Sequence, residues 1–221
     1  MILQGQVGAQ QVADGAQTNL RQGKTGESMV SELHGRFYEQ VYRGNVYSIG
    51  SGPTALSANT ITLVAATTPI LGVWNPGTSL VNLVILQAAL TVYANTLTTP
   101  VGPGAFVWAS SIGNNAISTG SAPFNRKTLA SAGSQAKAFP GGVALTGLTN
   151  NLVIFDGAGE IATGGPNTYS TTTALQLGGA GVQNFDGGLI VPPGGVLALL
   201  NTTSTTTMTV AGRLLWEEVP V

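Results

Sequence analysis

The run Gly188-Leu189-Ile190-Val191-Pro192-Pro193-Gly194-Gly195-Val196-Leu197-Ala198-Leu199-Leu200 holds two short apolar segments around a Pro-Pro-Gly-Gly corner. Proline fixes φ at the first corner of such a turn, and glycine takes the positive φ at the second. Asn201-Thr202-Thr203-Ser204 turns the chain again. From Thr207 to Val219 the side chains then alternate. Met208, Val210, Leu214 and Trp216 fall on one side, and Thr207, Thr209, Ala211, Arg213 and Glu217 on the other. That period of two predicts a half-buried strand.

The same punctuation recurs upstream. Leu71-Gly72-Val73-Trp74 stops at Asn75-Pro76-Gly77, a strong turn signal. Leu80 to Ala94 (LVNLVILQAALTVYA) is apolar on both faces. It suits a central strand buried from both sides, or a helix; its β-branched residues and flanking turns favour the strand. Thr60 to Ala66, Ala105 to Ser110, Val143 to Leu145 and Leu152 to Phe155 read as further short strands. Thr168 to Leu177 is a Thr-rich run, and Gly113 to Gly142 is rich in loops. Eight to ten strands at this spacing predict a β-sandwich or barrel. With no strand–helix alternation, a parallel α/β fold is not expected.

The start of the chain differs. Residues 1–27 are punctuated by Gly5, Gly8, Gly15, Gly23 and Gly26 and hold no sustained period, so they read as an extended arm. Residues 28–221 are taken as the β-sandwich domain. At its start, Met29 to Leu33 and Arg36 to Tyr42 flank His34-Gly35, a pattern that predicts a tight hairpin. A helix over Met29 to Tyr42 is the competing reading, since one glycine does not exclude it.

Composition removes many functions. Only 8% of the 221 residues are charged, against roughly 25% in an average globular domain. There are no cysteines and one histidine, so disulfides, thiolate metal sites and cysteine nucleophiles are excluded and a histidine zinc site is not expected. A net charge of −1 gives no basic footprint for nucleic acid. The most apolar stretch is shorter than the roughly 20 residues of a spanning helix, so no membrane partner is expected. Charge also clusters. Asp14, Arg21, Lys24, Glu27, Glu32, Arg36, Glu39 and Arg43 crowd the first fifth, and none occurs from Gly44 to Asn125. A surface so poor in charge fits a subunit covered by other chains, since monomers usually keep charge for solubility.

Two stretches carry a resemblance. One is Leu20-Arg21-Gln22-Gly23-Lys24-Thr25-Gly26-Glu27 with Glu32-Leu33-His34-Gly35-Arg36-Phe37-Tyr38-Glu39 and Arg43-Gly44-Asn45; the other is Val191-Pro192-Pro193-Gly194-Gly195 with Leu215-Trp216-Glu217-Glu218-Val219-Pro220. Together they resemble virion structural proteins of tailed bacteriophages, over about a third of the chain. The last strand and the turn before it also look like the closing half of a jelly roll. The resemblance implies an all-β, jelly-roll-like antiparallel sandwich with an extended N-terminal arm. It implies a homotrimeric capsid cement or decoration protein on the capsid exterior, with the phage major capsid protein as partner and no reaction to catalyse. A tail or fibre protein recognising a host glycan is the alternative.

Candidate residues follow from these expectations. Arg21, Lys24, Glu27, Glu32, Arg36, Glu39 and Arg43 would meet the capsid, with charge setting register. Trp74, Trp108 and Trp216 would pack in the core and between copies. No catalytic residue, metal ligand or cofactor is assigned. His34 reads as a turn residue. Asp156-Gly157-Ala158-Gly159-Glu160 has the carboxylates of a small calcium loop but not its dense pattern, so it reads as an ordinary turn. Glu217 and Glu218 should point to opposite faces of one strand, which prevents their acting as a catalytic pair. Gly178-Gly179-Ala180-Gly181 has no helix after it to make a phosphate site. Arg126 and Lys127 read as an exposed loop.

Overall fold

A computed structural model describes residues 35–50, 56–57, 69–95, 104–113, 120–139, 153–161, 177–178, 181–201 and 208–221. Contacts divide the chain into one unit ending at Glu39 and another over Gln40–Val221. The fold below is that of the second.

The elements are α1 (Tyr38–Arg43), β1 (Val46–Gly50), β2 (Leu56–Ser57), β3 (Leu71–Trp74), β4 (Val81–Asn95), β5 (Gly104–Ser111), β6 (Phe124–Asn125), β7 (Lys137–Phe139), β8 (Val153–Ile161), β9 (Leu177–Gly178), β10 (Val182–Val191), β11 (Val196–Asn201) and β12 (Met208–Pro220). They make two antiparallel sheets, as expected for an all-β sandwich. The first runs β10-β4-β12-β1-β6, with β2 also on β12; the second runs β7-β3-β11-β5-β8-β9. Among the eight longer strands the pairing is nested. The first pairs the eighth (β1 with β12), the second the seventh (β3 with β11), the third the sixth (β4 with β10), and the fourth the fifth (β5 with β8). The chain is thus one long antiparallel ribbon wound over itself.

The sandwich core lies where the inward rows of both sheets meet. Ile85, Leu214 and Trp216 come from the first sheet, and Val73, Trp108 and Leu197 from the second. The opposite face of the second sheet is buried too, around Trp74, Val107, Phe139, Val196, Ala198 and Leu200. This explains the unbroken apolar run in β11: alternate side chains enter different clusters, and both are buried. All three tryptophans are therefore buried inside the single chain. Trp108 and Trp216 are 1% and 0% exposed and Trp74 is 7% exposed, so the core packing expected of them is present within one chain.

Strand β4 corrects another expectation. Its outward residues Asn82, Val84, Gln87 and Ala89 are only half-buried. The apolar look has a local cause at Ile85-Leu86. Opposite them on β12, Trp216 pairs Ile85 and the next residue back, Leu215, pairs Gln87, so Leu86 is an extra residue. Such a bulge resets the alternation and lets two successive side chains face inward; both are buried. β12 itself alternates as expected, with Val210, Leu214, Trp216 and Glu218 buried.

The corner at Pro192–Gly195 takes the chain from the first sheet to the second. Gly195 N–H donates to Pro192 O at 2.9 Å, and Gly194 has φ 81°. That is the type II geometry expected of Pro-Gly. The corner from β3 to β4 lies beside it, and Asn75 laces the two. Asn75 N–H donates to Gly195 O, Gly194 N–H donates to Asn75 O, and Asn75 Nδ2 donates to Val81 O at 2.8 Å and Val191 O at 3.0 Å.

Three further expectations change. Tyr38–Arg43 is helical, not the second arm of a hairpin. Asp156 to Glu160 lies inside β8 and not in a turn. There the pairing passes from Gly159↔Phe106 to Gly157↔Val107, so Ala158 is an extra residue between glycines that tolerate the kink. The loop-rich segment from Gly113 to Gly142 contributes the short strands β6 and β7. The expected strands at residues 60–66 and 143–145, the first hairpin arm at 29–33 and His34 lie outside the described residues, as does the Thr-rich run apart from its end at Leu177, the first residue of β9.

Candidate interaction surface

Helix α1 has no buried residue. It starts with Tyr38 N–H donating to Gly35 O at 2.9 Å, and it stops at Gly44. Gly44 has φ 83°, its N–H donates to Val41 O, and the next amide, Asn45 N–H, reaches back to Gln40 O. This pair of bonds is the Schellman stop, which needs a left-handed residue and so selects glycine. Glu39 in the first turn and Arg43 in the last complement the helix dipole. Tyr38, Glu39, Tyr42 and Arg43 are exposed.

The loop after β6 holds the C-terminal end of α1. Asn125 is buried; its Nδ2 donates to Gly44 O at 2.7 Å, and its Oδ1 accepts from the amides of Lys127 and Thr128. Lys127 Nζ sits 4.9 Å from the centroid of the Tyr42 ring, a cation–π contact worth about 0.5–1 kcal/mol at an exposed site. Tyr42 and Lys127 thus form one exposed amphipathic pair, and Arg43 is exposed at the next helix position.

The same loop is clamped to β12. Glu218 is 8% exposed; its Oε1 accepts from Ser134 Oγ at 2.5 Å and its Oε2 from Gln135 N–H at 3.2 Å. Gln135 Oε1 in turn accepts from Leu80 N–H at 2.8 Å. Burial pushes the Tyr47 phenol above its ordinary value; a hydrogen bond with Asn125 acts against that, and the Glu218 charge adds to it. Glu217, on the other face of β12, is raised by burial alone. The two carboxylates do point apart, as the sequence predicted.

Of the residues expected to meet a partner, Arg21, Lys24, Glu27 and Glu32 lie outside the described residues. Arg36, Glu39 and Arg43 are exposed, and the guanidinium of Arg36 lies 5.5 Å from the Phe37 ring centroid. Sequence reasoning missed Tyr42 and Lys127 as a pair, and missed Asn125 and Glu218 as the side chains that position the loop. Gly44-Asn45 directly after a basic residue was the available signal for the helix end. Among the described residues, no three His, Asp or Glu side chains come together to hold a metal.

A second surface is the outward face of the first sheet. Cross-strand pairing sets it out in rows. Ile190, Val84 and Glu217 form one, Asn184, Gln87 and Leu215 the next, and Val182, Ala89, Arg213 and Gly50 the third. On β1 the first two rows end at the buried Val46 and Ser48, which take no part in the surface. Gln87 Nε2 donates to Asn184 Oδ1 at 2.8 Å, and Arg213 donates to Gln87 Oε1. Val182 and Ile190 are 59% and 53% exposed. Comparison with family models, curated proteins and solved structures finds no match to this chain.

Proposed function

We propose that this chain is a non-enzymatic structural protein of a tailed-bacteriophage virion. It is a jelly-roll-like cement or decoration protein that binds the major capsid protein lattice from outside and stabilises the head. The nested strand pairing carries the reading. An eight-strand ribbon folded into two sheets is the architecture of jelly rolls, which recur in viral capsid domains. The resemblance at both ends of the sequence supplies the phage context. The exposed Tyr42, Arg43 and Lys127 supply a capsid contact, in which aromatic area gives affinity and charge gives register. Arg21, Lys24, Glu27, Glu32, Arg36 and Glu39 are separately proposed as capsid contacts. Copies gather as homotrimers, as the resemblance implies.

Immunogold labelling of intact virions with an antibody to this chain tests the reading. Label spread over the head is the expected result. Label confined to the tail overturns it and favours a fibre protein that binds a host glycan. On isolated heads, Arg43→Glu with Lys127→Glu should weaken binding at least about tenfold while leaving the circular dichroism unchanged.

A further inference from the structure

We propose that the outward face of the first sheet is a two-fold contact between two copies of this chain. The charge layout selects this occupant. Arg213 and Glu217 are the only charged residues in the three rows that surround Leu215, and they stand on the same strand face, one row to each side of it. They are about 13 Å apart at the rise of a strand, and no bond joins them among the described residues. A two-fold axis lying between the faces, perpendicular to β12 and level with Leu215, brings Arg213 of each copy onto Glu217 of its partner. One self-complementary patch then forms two ion pairs, the signature of an isologous contact.

The surroundings suit that geometry. Face-to-face sheets sit about 10 Å apart, a gap that Arg and Glu side chains close from opposite sides. The Asn184–Gln87–Arg213 chain of hydrogen bonds holds the guanidinium in place before any partner arrives. Val182 and Ile190 flank the charges and are more than half exposed, so they supply apolar area. Glu217 has lost part of its water and has gained no hydrogen bond among the described residues, and an arriving arginine offsets that loss. The charge pair fixes register, while the apolar rows supply affinity. The contact does not depend on the virion reading and also serves to join two trimers.

Light scattering after gel filtration of the full chain tests it. The native mass should be an even multiple of 22.4 kDa. Arg213→Glu alone, or Glu217→Arg alone, places like charges opposite one another and should halve the mass. The two changes together restore the pairing in reversed sense and should restore the mass. Ile190→Asp lies on an exposed position and should also halve it without unfolding the subunit. A native monomer or trimer overturns the proposal, including the case in which residues 1–34 of the same chain cover this face. So does a native mass that the single reversals or Ile190→Asp leave unchanged, or a double reversal that stays dissociated.

Discussion

Ser134 Oγ donates to Glu218 Oε1 at 2.5 Å, across 84 positions of sequence. This bond and the Gln135 amide hold the loop between β6 and β7 against the end of β12. Removing the carboxylate leaves both donors unsatisfied at a part-buried site. Glu218→Ala should cost about 2–4 kcal/mol for the two donors, the lower part of the roughly 1–3 per stranded group because both bonds are only part-buried. Urea unfolding should show a lower midpoint, and the Gln135 amide should exchange faster with solvent. An unchanged midpoint would mean the clamp carries no stability.

Asn75 offers a separate test. Its Nδ2 serves Val81 O and Val191 O together. Asn75→Ala takes this donor from both carbonyls where the chain passes between sheets. Val81 O keeps the Ser79 hydroxyl at 3.3 Å, whereas Val191 O loses its side-chain donor. A loss of about 1–3 kcal/mol is expected in denaturant titration, with the largest amide-exchange changes at residues 75–81 and 191–196. Asn75→Asp should be worse, because it buries a charge and removes the donor.

The tryptophans should report a core. Trp108 and Trp216 are 1% and 0% exposed, so emission should be blue-shifted and poorly quenched by iodide. Dilution that separates copies should leave the emission where it is. A red shift on dilution would return the tryptophans to an inter-subunit role. Trp216→Ala should cost about 3–5 kcal/mol.

Among the described residues, Tyr47 and Glu217 have folded values above their ordinary ones. For each, the folded state holds its proton more tightly than the unfolded chain does. Their contributions are present below the unfolded value and lost as pH rises through the folded one. Tyr47 should therefore lower stability in alkali, from about pH 10 upward. The fall should be shallower in Tyr47→Phe. Glu217 should make the separated subunit slightly more stable as pH falls through the carboxylate range. Glu217→Gln should raise the midpoint of the separate subunit at neutral pH, yet weaken pairing between copies. Denaturant midpoints from pH 4 to 11 at low protein concentration resolve both.

The parts of the fold legible in sequence are those that local chemistry determines. The alternation of β12 and the Pro-Pro-Gly-Gly corner needed no distant partner to be read. α1 was not legible as a helix, because six residues are too few to display a period and Gly35 looked like a hairpin turn. β8 was hidden by glycines that serve bulges as well as turns. Leu86 misled in a different way: its bulge disguised a one-sided strand as a two-sided one. At the candidate site, the exposed charges Arg36, Glu39 and Arg43 could be named from the sequence. Asn125, Lys127 and Glu218 could not be assigned their roles, since each acts through a partner more than 80 positions away.

The place of β12 bears on how the protein is made. It lies between β4 and β1, inside its sheet, yet a ribosome makes it after the other eleven described strands. A nascent chain that has already released β1 and β4 holds two open strand edges with no neighbour to seal them. Such edges invite pairing with other chains. A ribosome stalled before Arg213 should therefore carry an aggregation-prone polypeptide that calls on chaperones, and closure should come in a single late step as the final strand slots in.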